Sequence, residues 1–155
     1  MCNYAISWSM EILTQSEKDT ARVAQDLALR ISERECICLY GDLGAGKTVF
    51  ARALIRALMQ DPDIEVPSPT FTLLQTYEAP RSLIWHYDLY RMEHPEDVYE
   101  LSWEEALFEG LVIVEWPARL SHLLPQKRLD ITLSRASNDP DGSQKRVIHI
   151  EEVGS

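Results

Sequence analysis

The stretch LYGDLGAGKTVFARALIRAL, Leu39 to Leu58, joins an apolar run to an amphipathic helix through three glycines, a lysine and a threonine. Gly41 to Thr48 read G-x-x-x-x-G-K-[ST]. Gly41, Gly44 and Gly46 permit positive φ without Cβ strain, so successive backbone N–H groups can converge on one anion. Thr48 falls in the first helical turn, where N–H groups lacking intrahelical acceptors and the helix dipole favour phosphate. In such a loop Lys47 reaches the β- and γ-phosphates of a nucleoside triphosphate, and the Thr48 hydroxyl ligates Mg2+. A chain of average composition and this length meets the pattern by chance on the order of once in a few hundred cases. Here it also has the required setting, the strand-like CICLY before it and a helix after it.

Working outward, Ser16 with Asp19 three residues on resembles a capping box. Behind it Ala21, Ala24, Leu27, Ala28 and Ile31 recur at helical spacing, which predicts a first helix to about Ser32. CICLY reads as a short buried strand ending at Gly41. The following helix runs from about Lys47 to Met59, and Asp61-Pro62 stops it. VPSPTF is a proline-stiffened loop. TLLQTYEA and SLIWHYDLYR flank the turn-like PR and read as a hairpin or as adjacent strands. HPEDVYELSWEEALFEG is one helix or two short ones ending at Gly110, and LVIVEW is a buried strand. RLDITLSR and KRVIHIEEV alternate and straddle SNDPDGSQ, a strong hairpin signal. ISWSMEIL is an edge strand, or in part an extension before Met10. Interleaved strands and helices followed by strand pairs imply an α/β, three-layer P-loop NTPase-like domain. Its central sheet is expected to be mixed and mainly parallel, with a C-terminal β-hairpin. The whole of 1–155 reads as one domain, with 1–9 as a candidate N-terminal extension.

The bulk properties narrow the function classes. A chain of 155 residues, 45% hydrophobic and 26% charged, fits one ordinary globular domain. Apolar runs such as LVIV are too short to span a bilayer, and MCNYAISWSMEI has neither a basic leader nor an apolar core of a signal peptide. A soluble, cytoplasmic protein with no membrane partner is expected. Twenty-five acidic against 15 basic residues give a formal charge of −10, which repels polyanions. A role in RNA metabolism would therefore run through protein partners. Cys2, Cys36 and Cys38 make neither a disulfide framework nor a zinc site, and period-two spacing puts Cys36 and Cys38 on one strand face as small buried hydrophobes.

A phosphate loop also needs a carboxylate for the metal or the attacking water, usually at the exit of a buried parallel strand. Glu115 follows LVIV directly, and Asp88 sits within WHYDLYR. Spacing leaves open which acid holds Mg2+ and which orients water. SPTF, residues 68–71, has the character of a switch loop in which Thr70 could sense the γ-phosphate or the metal. No N-K-x-D guanine-reading motif occurs, which favours ATP over GTP. His86 faces the same side of a strand as Asp88, either as a metal pair or as a structural support for the aspartate. Trp116 either stacks near a nucleotide or belongs to the core, while His94, His122 and His149 lack ligand-spaced partners.

Four stretches in one order, GDLGAGKT, SPTF, HYDLYR and VEWP, together resemble the bacterial TsaE (YjeE) family, small P-loop ATPases of tRNA threonylcarbamoyladenosine synthesis. The resemblance spans roughly residues 11 to 150. It implies an ATPase needed to modify the adenosine next to the anticodon, acting with the transferase TsaD and its partner TsaB, with tRNA met through that complex. Carried onto this chain, it places ATP phosphates on Leu43, Gly44, Ala45, Gly46, Lys47 and Thr48, and Mg2+ on Thr48 and Glu115. Asp88 becomes the matching acid of the H-x-D-x-Y-R motif and the catalytic residue, with Lys47 and Thr70 beside it. Base-side contacts fall around Ser16 and on the C-terminal hairpin, where GSQKRV departs from the family pattern and leaves Arg146 without a settled role. No arginine finger is evident in cis, so turnover is expected to be slow without partners. Two other classes fit the loop: a small-molecule phosphotransferase, although its usual arginine-rich lid has no counterpart here, and a non-catalytic nucleotide-sensing module.

Overall fold

Residues 8–136 and 144–154 are described by the computed structural model. In chain order they form β1 (Ser9–Thr14), α1 (Glu17–Ala28), β2 (Cys36–Tyr40), α2 (Lys47–Met59), β3 (Leu74–Glu78), β4 (Leu83–Asp88), a 3-10 helix (Pro95–Leu101), α3 (Trp103–Glu109), β5 (Leu111–Glu115), a second 3-10 helix (Pro117–Leu123), β6 (Arg128–Arg135) and β7 (Arg146–Val153). One seven-stranded sheet runs β1-β7-β6-β2-β5-β4-β3. Its middle is parallel, β6 on β2, β2 on β5 and β5 on β4. Both margins are antiparallel, β1-β7-β6 on one side and β3-β4 on the other. The expected α/β mixed sheet with a C-terminal hairpin is therefore present, with the parallel pairings concentrated where the two faces are covered.

Alternation along the strands decides which face is which. Ile37 and Leu39 of β2, Ile113 of β5 and Ile131 of β6 are fully buried in one core with Phe50, Leu54 and Ile55 of α2 and Ala24 and Leu27 of α1. Cys36 and Cys38 point to the opposite face, among Trp85, Tyr87, Trp103, Val112 and Val114. Each fully buried aliphatic side chain contributes about 2 kcal/mol relative to exposure, so a one-residue slip of β2 would exchange both cores. Both cysteines are free thiols. A hydrogen bond with Cys36, and after it burial, raises the Cys38 pKa far above the ordinary thiol value.

The element boundaries largely follow the sequence expectation, with the first helix shorter than expected. The first helix ends at Ala28 rather than near Ser32, because Arg30 and Ile31 N–H groups both close onto Leu27 O and continue the apolar periodicity in a turn. The second helix ends at Met59 as expected, closed by Gln60 in the left-handed region (φ 55°) before Asp61-Pro62 is reached. HPEDVYELSWEEALFEG resolves into two short helices, a 3-10 and an α-helix, meeting at Ser102. Of the candidate N-terminal extension, Ser9 lies in β1 paired with Glu151, and residues 1–7 are outside the described residues. The turn within SNDPDGSQ, residues 137–143, is also outside them. No helix among the described residues is long and apolar enough to cross a membrane.

Candidate functional site

A cavity of about 380 Å³ opens where β2, β5 and β4 end, lined by the glycine loop, Ser68, Thr70, Asp88, Glu115 and Trp116. Ligands of open α/β sheets gather in the crevice beyond the carboxyl ends of the parallel strands, and this volume falls within the range of ligand pockets. Two strand registers build it. Leu39↔Glu115 and Asp88↔Glu115 bring the end of β2, which launches the loop, level with both acids.

The loop itself turns through glycines at positive φ: Gly41 at 149°, Gly44 at 80° and Gly46 at 106°. Gly41 is also required sterically, since a Cβ there would lie 2.6 Å from the Leu133 carbonyl oxygen. Gly46 is the N-cap of α2, with no side chain to occupy the first amides. The arrangement is an anion cradle at a helix N-terminus. Leu43 is exposed and lines the cavity with Gly44 and Gly46, whereas Ala45 is packed away at 3% exposure.

Lys47 is 6% exposed. Its ammonium donates to the carbonyls of Gly41 and Asp42 and lies 3.8 Å above the centre of the Trp116 ring, a cation–π contact. Burial lowers its pKa, and the Glu115, Asp88 and Asp42 carboxylates offset part of that effect. Trp116 thus belongs to the site. It is half-buried, in the left-handed region at φ 61°, and its ring meets that of Tyr90 at 5.0 Å with a tilt of 49°.

The two acids have separate partners. Glu115, 2% exposed, accepts from Thr48 Oγ1 at 3.5 Å on Oε1 and is bonded to His86 Nε2 at 2.8 Å on Oε2. A carboxylate only accepts, so Nε2 carries the hydrogen, while His86 Nδ1 has no partner among the described residues. Asp88, 5% exposed, accepts the Tyr90 N–H at 3.1 Å on Oδ1. Its Oδ2 accepts the hydroxyls of Thr70 at 3.2 Å and Ser68 at 3.4 Å. The histidine expected to support Asp88 therefore supports Glu115 instead. Spacing within β4 put His86 and Asp88 on one face, but the reach across to β5 decides the partner.

Ser16 is not brought to the cavity wall: its hydroxyl caps α1 by accepting the Asp19 N–H at 3.1 Å. The Asp19 carboxylate returns to the Gln15 N–H, one residue before the cap. Glu17 and Thr20 of the same helix do line the cavity. Arg146 and Gln144 close it from the C-terminal hairpin, and Arg146 donates to the carbonyls of Ala45 at 3.0 Å and Gly44 at 3.2 Å. Nothing local in the sequence announces that contact.

A family model described as threonylcarbamoyl adenosine biosynthesis protein TsaE matches residues 14–147. A protein of Rickettsia conorii named tRNA threonylcarbamoyladenosine biosynthesis protein TsaE is 42% identical over 124 residues, 80% of this chain and 70% of the relative. Proteins of the same name from Aquifex aeolicus, 41% identical over 70% of this chain and 77% of the relative, and Bacillus subtilis, 33% identical over 92% and 85%, are also similar. Among solved structures, that of YdiB from Bacillus subtilis matches with a TM-score of 0.72 at 27% identity, covering 96% of this chain and 88% of the other.

Proposed function

The chain belongs to the TsaE family, and from that premise we propose that it is a Mg2+-dependent ATPase of tRNA N6-threonylcarbamoyladenosine biosynthesis. In this reading it acts with the TsaD–TsaB transferase, and tRNA is met through that complex. The names of its relatives support the pathway. The observation that carries the chemistry is the convergence of Thr48, Glu115 and Asp88 on one glycine cradle.

The residues present suit both groups. Positive-φ glycines and free first-turn amides fit a polyphosphate, and a hydroxyl beside a carboxylate is an all-oxygen donor pair fitting a hard cation. Among the described residues no three His, Cys, Asp or Glu could enclose an ion. A cation here would thus share its coordination with nucleotide phosphates, as Mg2+ commonly does. When bound, Mg2+ supplies charge neutralisation to the phosphate oxygens.

The side chains divide the remaining work. Glu115 Oε1 faces Thr48 Oγ1, and His86 fixes the other carboxylate oxygen, so the acid presents one oxygen toward the metal position. Lys47 exchanges the Gly41 and Asp42 carbonyls for the β- and γ-phosphates. Asp88 orients the attacking water. Its Oδ2 lies within reach of the Ser68 and Thr70 hydroxyls, so a movement of the switch loop would free this oxygen for the attacking water. Partners that move the loop would then raise turnover above that of the isolated chain.

ATP hydrolysis by the purified chain, alone and with TsaD and TsaB, tests the proposal. Slow turnover raised by the pair and lost in Lys47→Ala is expected. Fast turnover unchanged by the pair would count against it.

A further inference from the structure

The phosphate loop is held at one rim of the cavity by the first residue of the last strand. Arg146, at the start of β7, donates Nε to Ala45 O at 3.0 Å and Nη2 to Gly44 O at 3.2 Å. Its partners lie 101 and 102 residues earlier, so sheet order, not local sequence, makes the contact. All peptide bonds here are trans. In a trans peptide the carbonyl of one residue points opposite to the N–H of the next. Drawing the Gly44 and Ala45 carbonyls onto one guanidinium therefore turns the Ala45 and Gly46 N–H groups away from it. For Ala45 the result is visible, because its N–H reaches Asp42 O within the loop at 3.0 Å. The next peptide plane carries the Gly46 N–H, immediately before Lys47 opens α2. Arg146 is itself secured, with its own carbonyl oxygen accepting from the Thr14 hydroxyl at 3.4 Å.

We propose that Arg146 is a positioning residue for the nucleotide site, fixing two peptide planes so that the Gly46 N–H faces the phosphates. The inference rests on the reading of the cavity as a triphosphate site. A planar fork can hold two adjacent carbonyls at once, whereas an ammonium is a point charge on a flexible stem. Arg146→Lys therefore keeps the charge and loses the clamp, and Arg146→Gln loses both.

The test combines two readouts on the full chain, with thermal melting as a check that each variant is folded. The first is the 1H–15N resonance and solvent exchange of the Gly46 amide in the ligand-free protein. The second is the dissociation constant for a non-hydrolysable ATP analogue with Mg2+. Both variants are expected to shift the Gly46 resonance, speed its exchange and weaken analogue binding by about tenfold, the scale of one charge-assisted hydrogen bond. Normal affinity in Arg146→Lys, or an unmoved Gly46 amide in a variant whose affinity falls, would overturn the proposal in favour of direct attraction between Arg146 and the nucleotide. A wild-type chain that binds no analogue would overturn the site reading as well, and is told apart because it fails before any substitution is made.

Discussion

Replacing His86 by leucine should destabilise the protein through Glu115. The imidazole and the carboxylate are 1% and 2% exposed and meet at 2.8 Å, so the variant leaves a carboxylate oxygen buried without its donor. Removing one partner of a buried ionic or charge-assisted pair costs about 3–5 kcal/mol, and a hydrogen bond to a charged group alone is worth about 1.5–3 kcal/mol. Loss of the unpartnered Nδ1 returns roughly 1 kcal/mol of desolvation. The net cost is then about 3 kcal/mol. For a chain of this size each kcal/mol moves Tm by about 2–4 °C, which gives a fall of roughly 6–12 °C. Urea and thermal unfolding followed by circular dichroism would measure it. The double variant His86→Leu/Glu115→Leu removes the stranded charge with its donor, and should be more stable than His86→Leu alone, since apolar replacement of both partners is often neutral. A single variant within about 0.5 kcal/mol of wild type, or a double variant that merely sums two losses, would show that His86 does not hold a buried charge on Glu115.

Three further outcomes follow from named contacts. Lys47→Met should abolish ATP binding yet raise the stability of the ligand-free chain, because burial disfavours the charged amine. The folded-state pKa lies below the ordinary 10.5, so the unfolded chain binds the extra proton, and the stability gap between variant and wild type should narrow as pH rises through the depressed value toward 10.5. Asp88→Asn should retain analogue binding but lose ATP turnover by about 100-fold or more, the usual scale for a general base. Gly110→Ala places a Cβ 2.5 Å from Trp85 Cδ1 and 2.6 Å from Leu83 O. It should cost about 1–3 kcal/mol by overpacking, while melting shows the same stabilisation by ATP as wild type, because the site is at the opposite strand ends.

How much of this was legible depends on the range of the interaction. The loop, α2 from Lys47 to Met59 and the two strand-end acids are local patterns of glycine, apolar periodicity and strand exit. The pairing of Asp88 with Glu115 followed once both ended parallel neighbours. His86 does share a face with Asp88, but its partner is Glu115, 29 residues away on the adjoining strand, which spacing within β4 does not reveal. The 3-10 helix after Trp116 has no periodic signature: its proline sits at the first turn, but Ser121 at φ 49° interrupts any periodicity. The Arg146 clamp is invisible for a related reason, since it exists only after β7 has taken its place beside β6 and β1.

The pathway claim is tested most directly by mass analysis of tRNA nucleosides from cells depleted of this protein and complemented with wild type or Asp88→Asn. N6-threonylcarbamoyladenosine is expected to fall on depletion and to return with wild type but not with the variant. Unchanged levels after depletion, or full restoration by Asp88→Asn, would contradict it.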